Sequence, residues 1–137
     1  MQTKTRIALA AAALALGGGI ISAPSAVAGT SASQSPGMRI QGYGFHMYKD
    51  DNYKVGVAWV TRTDTDLRNN YWVSGPHKGR KVDNGTSSAF NNTRSKVLLW
   101  QNVGCTGTVS SFGPGGYDPD LSDNPIKDNR LSCVQFR

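Results

Sequence analysis

The chain has 137 residues, 38% of them hydrophobic, which suits one packed domain and is too short for a large multidomain enzyme. Its nine acidic residues are all aspartates, so HExxH metalloprotease helices, EF-hand loops and Glu-based glycosidase pairs are excluded. The formal charge is +6, yet the densest basic run, Lys78-Gly79-Arg80-Lys81, reads as a solvated loop, and nucleic acid is not expected as a partner.

Lys4 and Arg6 precede an apolar run from Ile7 to Ile21, and Ala26-Val27-Ala28 then supplies the small-x-small pattern that signal peptidase cleaves. Residues 1–28 therefore read as an export signal, and the expected location is extracellular. Gly17-Gly18-Gly19 breaks the run short of the ~18–20 residues that a membrane span needs. Loss of Lys4 and Arg6 would leave 13 basic side chains against nine aspartates, a formal +4. Residues 29–37, rich in Ser, Gly and Pro, read as a flexible leader to a domain over residues 38–137.

Cys105 and Cys133 are the only cysteines. In an oxidising compartment an even pair reads as one disulfide, free thiols being the alternative. The bridge would close a loop of about 29 residues and contribute about 3–4 kcal/mol on the chain-entropy model.

From Met38 onward, short segments rich in aromatic and β-branched residues predict strands at Phe45 to Tyr48, Val55 to Val60, Tyr71 to Val73, Lys96 to Trp100, Val109 to Phe112 and Leu131 to Phe136. Turn formers separate them, among them Asp50-Asp51-Asn52, Ser74-Gly75-Pro76, Asn84-Gly85 and Gly113-Pro114-Gly115-Gly116. No segment sustains a 3.6-residue apolar period between caps. The predicted class is all-β, with a sandwich suited to the size.

The chain also repeats itself. Tyr48 to Gly56 and Trp100 to Gly107 each run from an aromatic through a polar turn to glycine, and Asp83-Asn84-Gly85-Thr86-Ser87-Ser88 parallels Asp128-Asn129-Arg130-Leu131-Ser132-Cys133, 45 residues later. Between glycine and aspartate lie 26 residues in the first unit and 20 in the second, and the extra six are expected within Thr61 to Asn70.

An aromatic-x6-Gly hairpin followed by D/N-D/N-x-x-S/T-S, occurring twice, resembles the βγ-crystallin domain, and the resemblance implies two Greek keys packed as one sandwich. Trp100 to Gly107 fits the hairpin spacing, Tyr48 to Gly56 is one residue too long, and Asp128 to Cys133 departs from the second element only at its last position. A cysteine there, facing the core, can exchange a hydrogen-bonding hydroxyl for a covalent tie to Cys105. The order LLWQNVGCTG, GPGGYDPDL, DNRLSCVQF also looks like secreted bacterial peptidase inhibitors of crystallin-like fold, whose type member blocks metalloproteinases. Small secreted antifungal toxins share that fold, so the resemblance narrows architecture more than activity.

What the resemblance implies for sites is specific. Hard oxygens of Asp83, the Gly85 carbonyl and Ser87, with a matching set of Asp128, the Arg130 carbonyl and Ser132, correspond to the family's calcium sites, completed by carbonyls of the opposite hairpin. Few carboxylates mean weak binding, of order 10⁻⁵–10⁻³ M, and Lys81, Lys127 and Arg130 oppose it. The alternative reading of the same turns is structural: the Ser/Thr side chains cap backbone amides where the chain crosses between sheets. No cofactor is required.

For catalysis no constellation emerges. His46 and His77 lack zinc-ligand spacing, no strand-GxSxG-helix context exists, and Asp64/Asp66 and Asp118/Asp120 read as solvated loop residues. The sequons Asn84-Gly85-Thr86 and Asn91-Asn92-Thr93 require a glycosylating pathway. The leading expectation is thus a monomeric, non-enzymatic peptidase inhibitor directed at a secreted metalloprotease, with a calcium-binding structural module and a secreted antimicrobial toxin as alternatives. An inhibitor presents a stiff, pre-ordered loop that loses little entropy on binding. The candidates are Val103, Gly104 and Thr106 beside Cys105, and Tyr71 with Trp72 within Asn69 to Gly75, whose competing reading is core strand.

Overall fold

The computed structural model describes residues 42–137. The expected export signal (1–28), the leader (29–37) and the start of the domain at residue 38 lie outside these residues. Seven strands run in chain order: β1 (Gly44–Asp50), β2 (Lys54–Val60), β3 (Ser88–Asn92), β4 (Val97–Asn102), β5 (Thr106–Phe112), β6 (Tyr117–Asp118) and β7 (Cys133–Phe136). Three single 3-10 turns, Asp51–Tyr53, Leu67–Asn69 and Leu121–Asp123, are the only helical pieces among the described residues.

The strands form two antiparallel sheets, ordered β2-β1-β3-β6 and β5-β4-β7. Each half contributes a hairpin and a closing strand to its own sheet and lends a short segment to the other. β6 pairs with β3 of the first half, and Asp64 bridges Val134 on the free side of β7. This exchange makes two Greek keys into one βγ-crystallin-like sandwich, as expected from the repeat.

Between the sheets sit Phe45, Met47, Val97, Leu99, Leu121 and Leu131, each fully buried. Deleting such a side chain, as in Leu99→Ala, costs about 2–5 kcal/mol. Alternation along β1 sends Phe45 and Met47 inward and His46 and Tyr48 to the opposite face. That outer face is apolar too. Trp59, His46 and Phe90 stand opposite one another across β2, β1 and β3, the His46 ring 6.3 Å from each neighbour, and Tyr48, Tyr53 and Val57 pack beside them.

The predicted strands need correction in several places, among them the short β6 and the start of β5 at Thr106 rather than Val109. Tyr71 to Val73 is not a strand: Tyr71 forms an isolated bridge to Lys81, and the Trp72 and Val73 amides donate to different partners, Arg80 and Val57, as the segment turns around buried Trp72. β3 was unforeseen: SAFNN carries one aromatic and two asparagines, a weak strand pattern. It is held by Asn91, whose buried side-chain amide donates to the carbonyls of Ser95, Phe112 and Gly113. β7 begins at Cys133, two residues after the expected Leu131.

The extra residues of the first half also lie elsewhere than expected. Asp64-Thr65-Asp66-Leu67-Arg68-Asn69-Asn70 and Asp118-Pro119-Asp120-Leu121-Ser122-Asp123-Asn124 make the same hydrogen bonds. In each, the first aspartate accepts from the amide of the second and from the terminal asparagine side chain, and the second accepts from the amide two residues on. These aspartates are therefore structural caps rather than merely solvated. Thr61 to Asn70 holds this shared element, and the insertion falls after it, in Tyr71 to Val82.

Candidate functional site

Both D-N turns meet at one end of the sandwich. Asn84 donates its amide to the Leu131 carbonyl and Asn129 donates to Thr86, each at 3.0 Å, so the turns clasp one another by a reciprocal pair of bonds. Both asparagines take left-handed backbone, φ 52° and 54°, which Asn tolerates better than most residues. Ser87 and Ser132 anchor their turns through their backbones: their amides donate to Tyr48 and Trp100 of their own half, and their carbonyls accept from Leu121 and Leu67 of the other.

The carboxylates of these turns are half-satisfied. Oδ2 of Asp83 accepts from the Asn84 side chain at 2.9 Å, and Oδ2 of Asp128 from Asn129 at 2.6 Å. The Oδ1 atom of each is buried and has no hydrogen-bond partner. Two orphaned oxygens at equivalent positions are what a hard cation would satisfy. A cleft lined by Asp83, Asn84, Gln101, Val103, Arg130 and Ser132 shows how the residues group. It joins Asp83 to Arg130 and Ser132 of the other half and to the β4–β5 hairpin, so Asp83 does not share this cleft with Gly85 and Ser87. Gly85 instead lies against the Trp72 ring, where a Cβ would stand 3.4 Å from Cζ2, and Ser87 is buried. On the Asp128 side the Lys49 ammonium reaches Asn129 Oδ1 at 3.4 Å. Burial, together with Asp120, Asp128 and Asp50, raises the Asp51 carboxyl above its usual range.

The two hairpins are braced by the same position of the repeat. In the second half Cys133 opens β7, and its disulfide to Cys105, Cα–Cα 5.2 Å, fastens the turn Val103–Cys105 between β4 and β5. The Gly104 amide adds a hydrogen bond to the Thr65 carbonyl at 2.8 Å. Gly104 and Thr106 are exposed and Val103 is half-buried, so the tip is presented to solvent and held from both sides. In the first half Ser88 takes the place of Cys133: its hydroxyl accepts from the Tyr53 amide at 3.0 Å and donates to the Asp50 carbonyl at 2.7 Å.

Of the second candidate loop, Tyr71 is 51% exposed, whereas Trp72 is 2% exposed and belongs to the core. As a contact residue Trp72 is thus corrected: it is the pillar around which the insertion Tyr71 to Val82 turns. The Trp72 amide donates to Arg80 and its carbonyl accepts from Gly79, closing the excursion at its base. A repeat at 54 residues, DxDLxxN, is the signal in the sequence that places this insertion.

His46 is fully buried in the outer aromatic face, and burial lowers its pKa although the bond between Nε2 and the Gly42 carbonyl at 2.9 Å acts in the other direction. Among the described residues no group of three or more His, Cys, Asp or Glu side chains gathers to hold a metal, and no helix is long and apolar enough to cross a membrane. Asn91 of the second sequon is fully buried and closed to glycosylation in the fold, while Asn84 of the first is exposed.

The domain is similar to a βγ-crystallin from Ciona intestinalis, at 16% identity over 68% of this chain and 98% of that one, TM-score 0.56. It is likewise similar to a βγ-crystallin from an archaeon, at 15% identity over 69% of this chain and 96% of that one, TM-score 0.54. At these identities the likeness is one of fold. No curated protein sequence matches the chain. The pattern of peptidase inhibitor family I36 matches residues 43–112, half of the chain, from just before β1 to the end of β5. That match spans both hairpins and the insertion between them, and this chain therefore belongs to peptidase inhibitor family I36.

Proposed function

We propose that the protein is secreted and, as a monomer, inhibits a metallopeptidase by seating the tip Val103–Thr106 in the enzyme's cleft. The observation that carries this reading is the double fastening of an exposed tip, by the Cys105–Cys133 bridge and by the Gly104 amide on Thr65. A loop already held in its bound shape loses little conformational entropy on association, and a loop that stays fastened after nicking is not released as two ends. The export signal at residues 1–28 supports action outside the cell. The preference for a metallopeptidase rests on the resemblance to crystallin-fold inhibitors noted in the sequence.

The test is a titration of the purified, oxidised protein against a thermolysin-like zinc peptidase and a subtilisin-like serine peptidase. Stoichiometric inhibition of the zinc enzyme that weakens in a Gly104→Asp variant is the expected result; inhibition of the serine enzyme alone would overturn the metallopeptidase assignment.

A second reading is favoured by the orphaned Oδ1 atoms of Asp83 and Asp128: weak calcium binding at the clasped turns. Asp83 and Ser132 in the cleft, with backbone carbonyls of Gln101 to Val103, are the oxygens that would hold the ion, against the opposing charge of Arg130. Bound calcium would tie the turns together and raise the melting temperature. Calorimetry with no heat up to about 10⁻³ M calcium would remove this reading.

A further inference from the structure

The first hairpin and the insertion beside it form a surface that the β4–β5 tip does not use. Between Asp51 and Gly56 the chain holds three non-glycine residues in left-handed backbone, Asn52, Tyr53 and Val55, with φ of 56°, 60° and 49°. For β-branched Val55 that conformation is a marked outlier, kept only where the surroundings dictate it. They do so here. Ser88 grips Tyr53 and Asp50, Asn52 donates to the Pro119 carbonyl at 2.7 Å, and Ser74 Oγ accepts from the Val57 amide at 3.2 Å. Gly75 lies so close to Gly56 that a Cβ on it would stand 2.8 Å from the Gly56 nitrogen.

The hairpin and the insertion are thereby packed on each other, Gly75 against Gly56 and the Val73 amide on the Val57 carbonyl at 2.9 Å. Of the six large hydrophobic side chains that are exposed among the described residues, three sit here: Val55 on the hairpin, and Tyr71 and Val73 on either side of buried Trp72. Around them the insertion supplies Lys78, Arg80 and Lys81, all exposed, and residues 71–82 contain no acid. Asp66, which Lys81 also feels, is already paired with Arg68 through contacts of 2.8 and 2.7 Å. The hairpin's own Asp51 keeps company with Asp120 and Asp128. A rigid apolar centre with a cationic rim has the anatomy of a protein-binding surface for an acidic partner.

We propose that Val55, Tyr71 and Val73, rimmed by Lys78, Arg80 and Lys81, form an exosite that docks on an acidic face of the inhibited peptidase. The proposal rests on the inhibitor reading above and adds to it a second contact, which sets association rate and choice of target.

The experiment compares the full protein with K78E/R80E/K81E and with Y71S/V73S, each checked for an unchanged melting temperature. Inhibition kinetics are followed at low and high salt against the peptidase that the wild type inhibits best. Charge reversal is expected to slow association about tenfold or more at low salt and to abolish its salt dependence, and the apolar pair to quicken dissociation by about tenfold. If the wild type inhibits and both variants match it, the exosite alone is refuted. Should the wild type inhibit neither a zinc nor a serine peptidase, the inhibitor reading falls and the exosite with it. Binding of the wild type to phosphatidylglycerol vesicles, lost on charge reversal while inhibition is unchanged, would reassign the surface to anionic membranes and overturn the proposal.

Discussion

The two halves of this domain solve one problem with different chemistry. Each must hold a hairpin against the strand that closes its Greek key, and the repeat places one residue at that joint: Ser88 in the first half, Cys133 in the second. Ser88 offers a donor and an acceptor to the backbone at Tyr53 and Asp50, whereas Cys133 makes a covalent bond to Cys105. A hydroxyl holds two specific backbone groups in place and so sustains the left-handed corner at Asn52 to Val55. A disulfide holds one point firmly and leaves the neighbouring Gly104 and Thr106 exposed. Covalent bracing therefore suits a short, projecting tip, and hydrogen-bond bracing suits a longer corner packed under a neighbouring loop.

The widest gap between the halves is the insertion and its pillar. Trp72→Ala should cost about 3–5 kcal/mol, because the buried ring packs against Gly85 and Gly56; denaturant unfolding measures it, and a loss under about 1 kcal/mol would mean that the insertion is an appendage.

Removing the bridge in C105A/C133A should lower stability by about 3–4 kcal/mol while the first hairpin keeps its amide protection in hydrogen exchange. Loss of protection in both hairpins alike would show that the halves are not separately braced.

Ser88→Ala should cost about 1–3 kcal/mol by removing the hydroxyl that accepts from the Tyr53 amide and donates to the Asp50 carbonyl, with loss of protection confined to Asp50 to Val57.

A smaller effect comes from His46. Its folded pKa lies below the unfolded 6.5, so the unfolded chain binds the proton more readily, and stability is fullest above pH 6.5 and declines as pH falls through that value. Melting temperature followed from pH 7.5 to pH 5 should drop in the wild type and stay flatter in His46→Gln; parallel curves would remove His46 as the cause. The least effect is expected at the Arg68–Asp66 pair. Arg68 lowers the Asp66 carboxyl to about 2, but the guanidinium side chain is 58% exposed and solvent screens the pair, so Arg68→Ala should leave the melting temperature at pH 7 nearly unchanged.

Much of this architecture is legible without coordinates, because it is written in local chemistry. Asn84 and Asn129 sit where left-handed turns need them, the aromatic-to-glycine hairpins recur at their spacing, and a lone pair of cysteines has one bridge to make. The duplicated turn carries the resemblance that implies a crystallin-like sandwich. The candidate site was legible only in part: the bridge between Cys105 and Cys133 forms, but Asp83 proves to share its cleft with Arg130 and Ser132. Pairing of turns across the two halves depends on the exchange of segments between sheets, which no local pattern records.

The sequence by itself thus determined the class, the duplication and the disulfide, since each follows from which residues stand a few positions apart. Tertiary structure alone decided which aromatic is a pillar and which a contact. Tyr71 and Trp72 are neighbours of similar character, yet one is exposed and the other buried, because the turn at Ser74 and Gly75 folds the insertion back onto the first hairpin. Burial is set by what arrives from far along the chain, and adjacent residues on opposite sides of a loop share a sequence neighbourhood without sharing an environment.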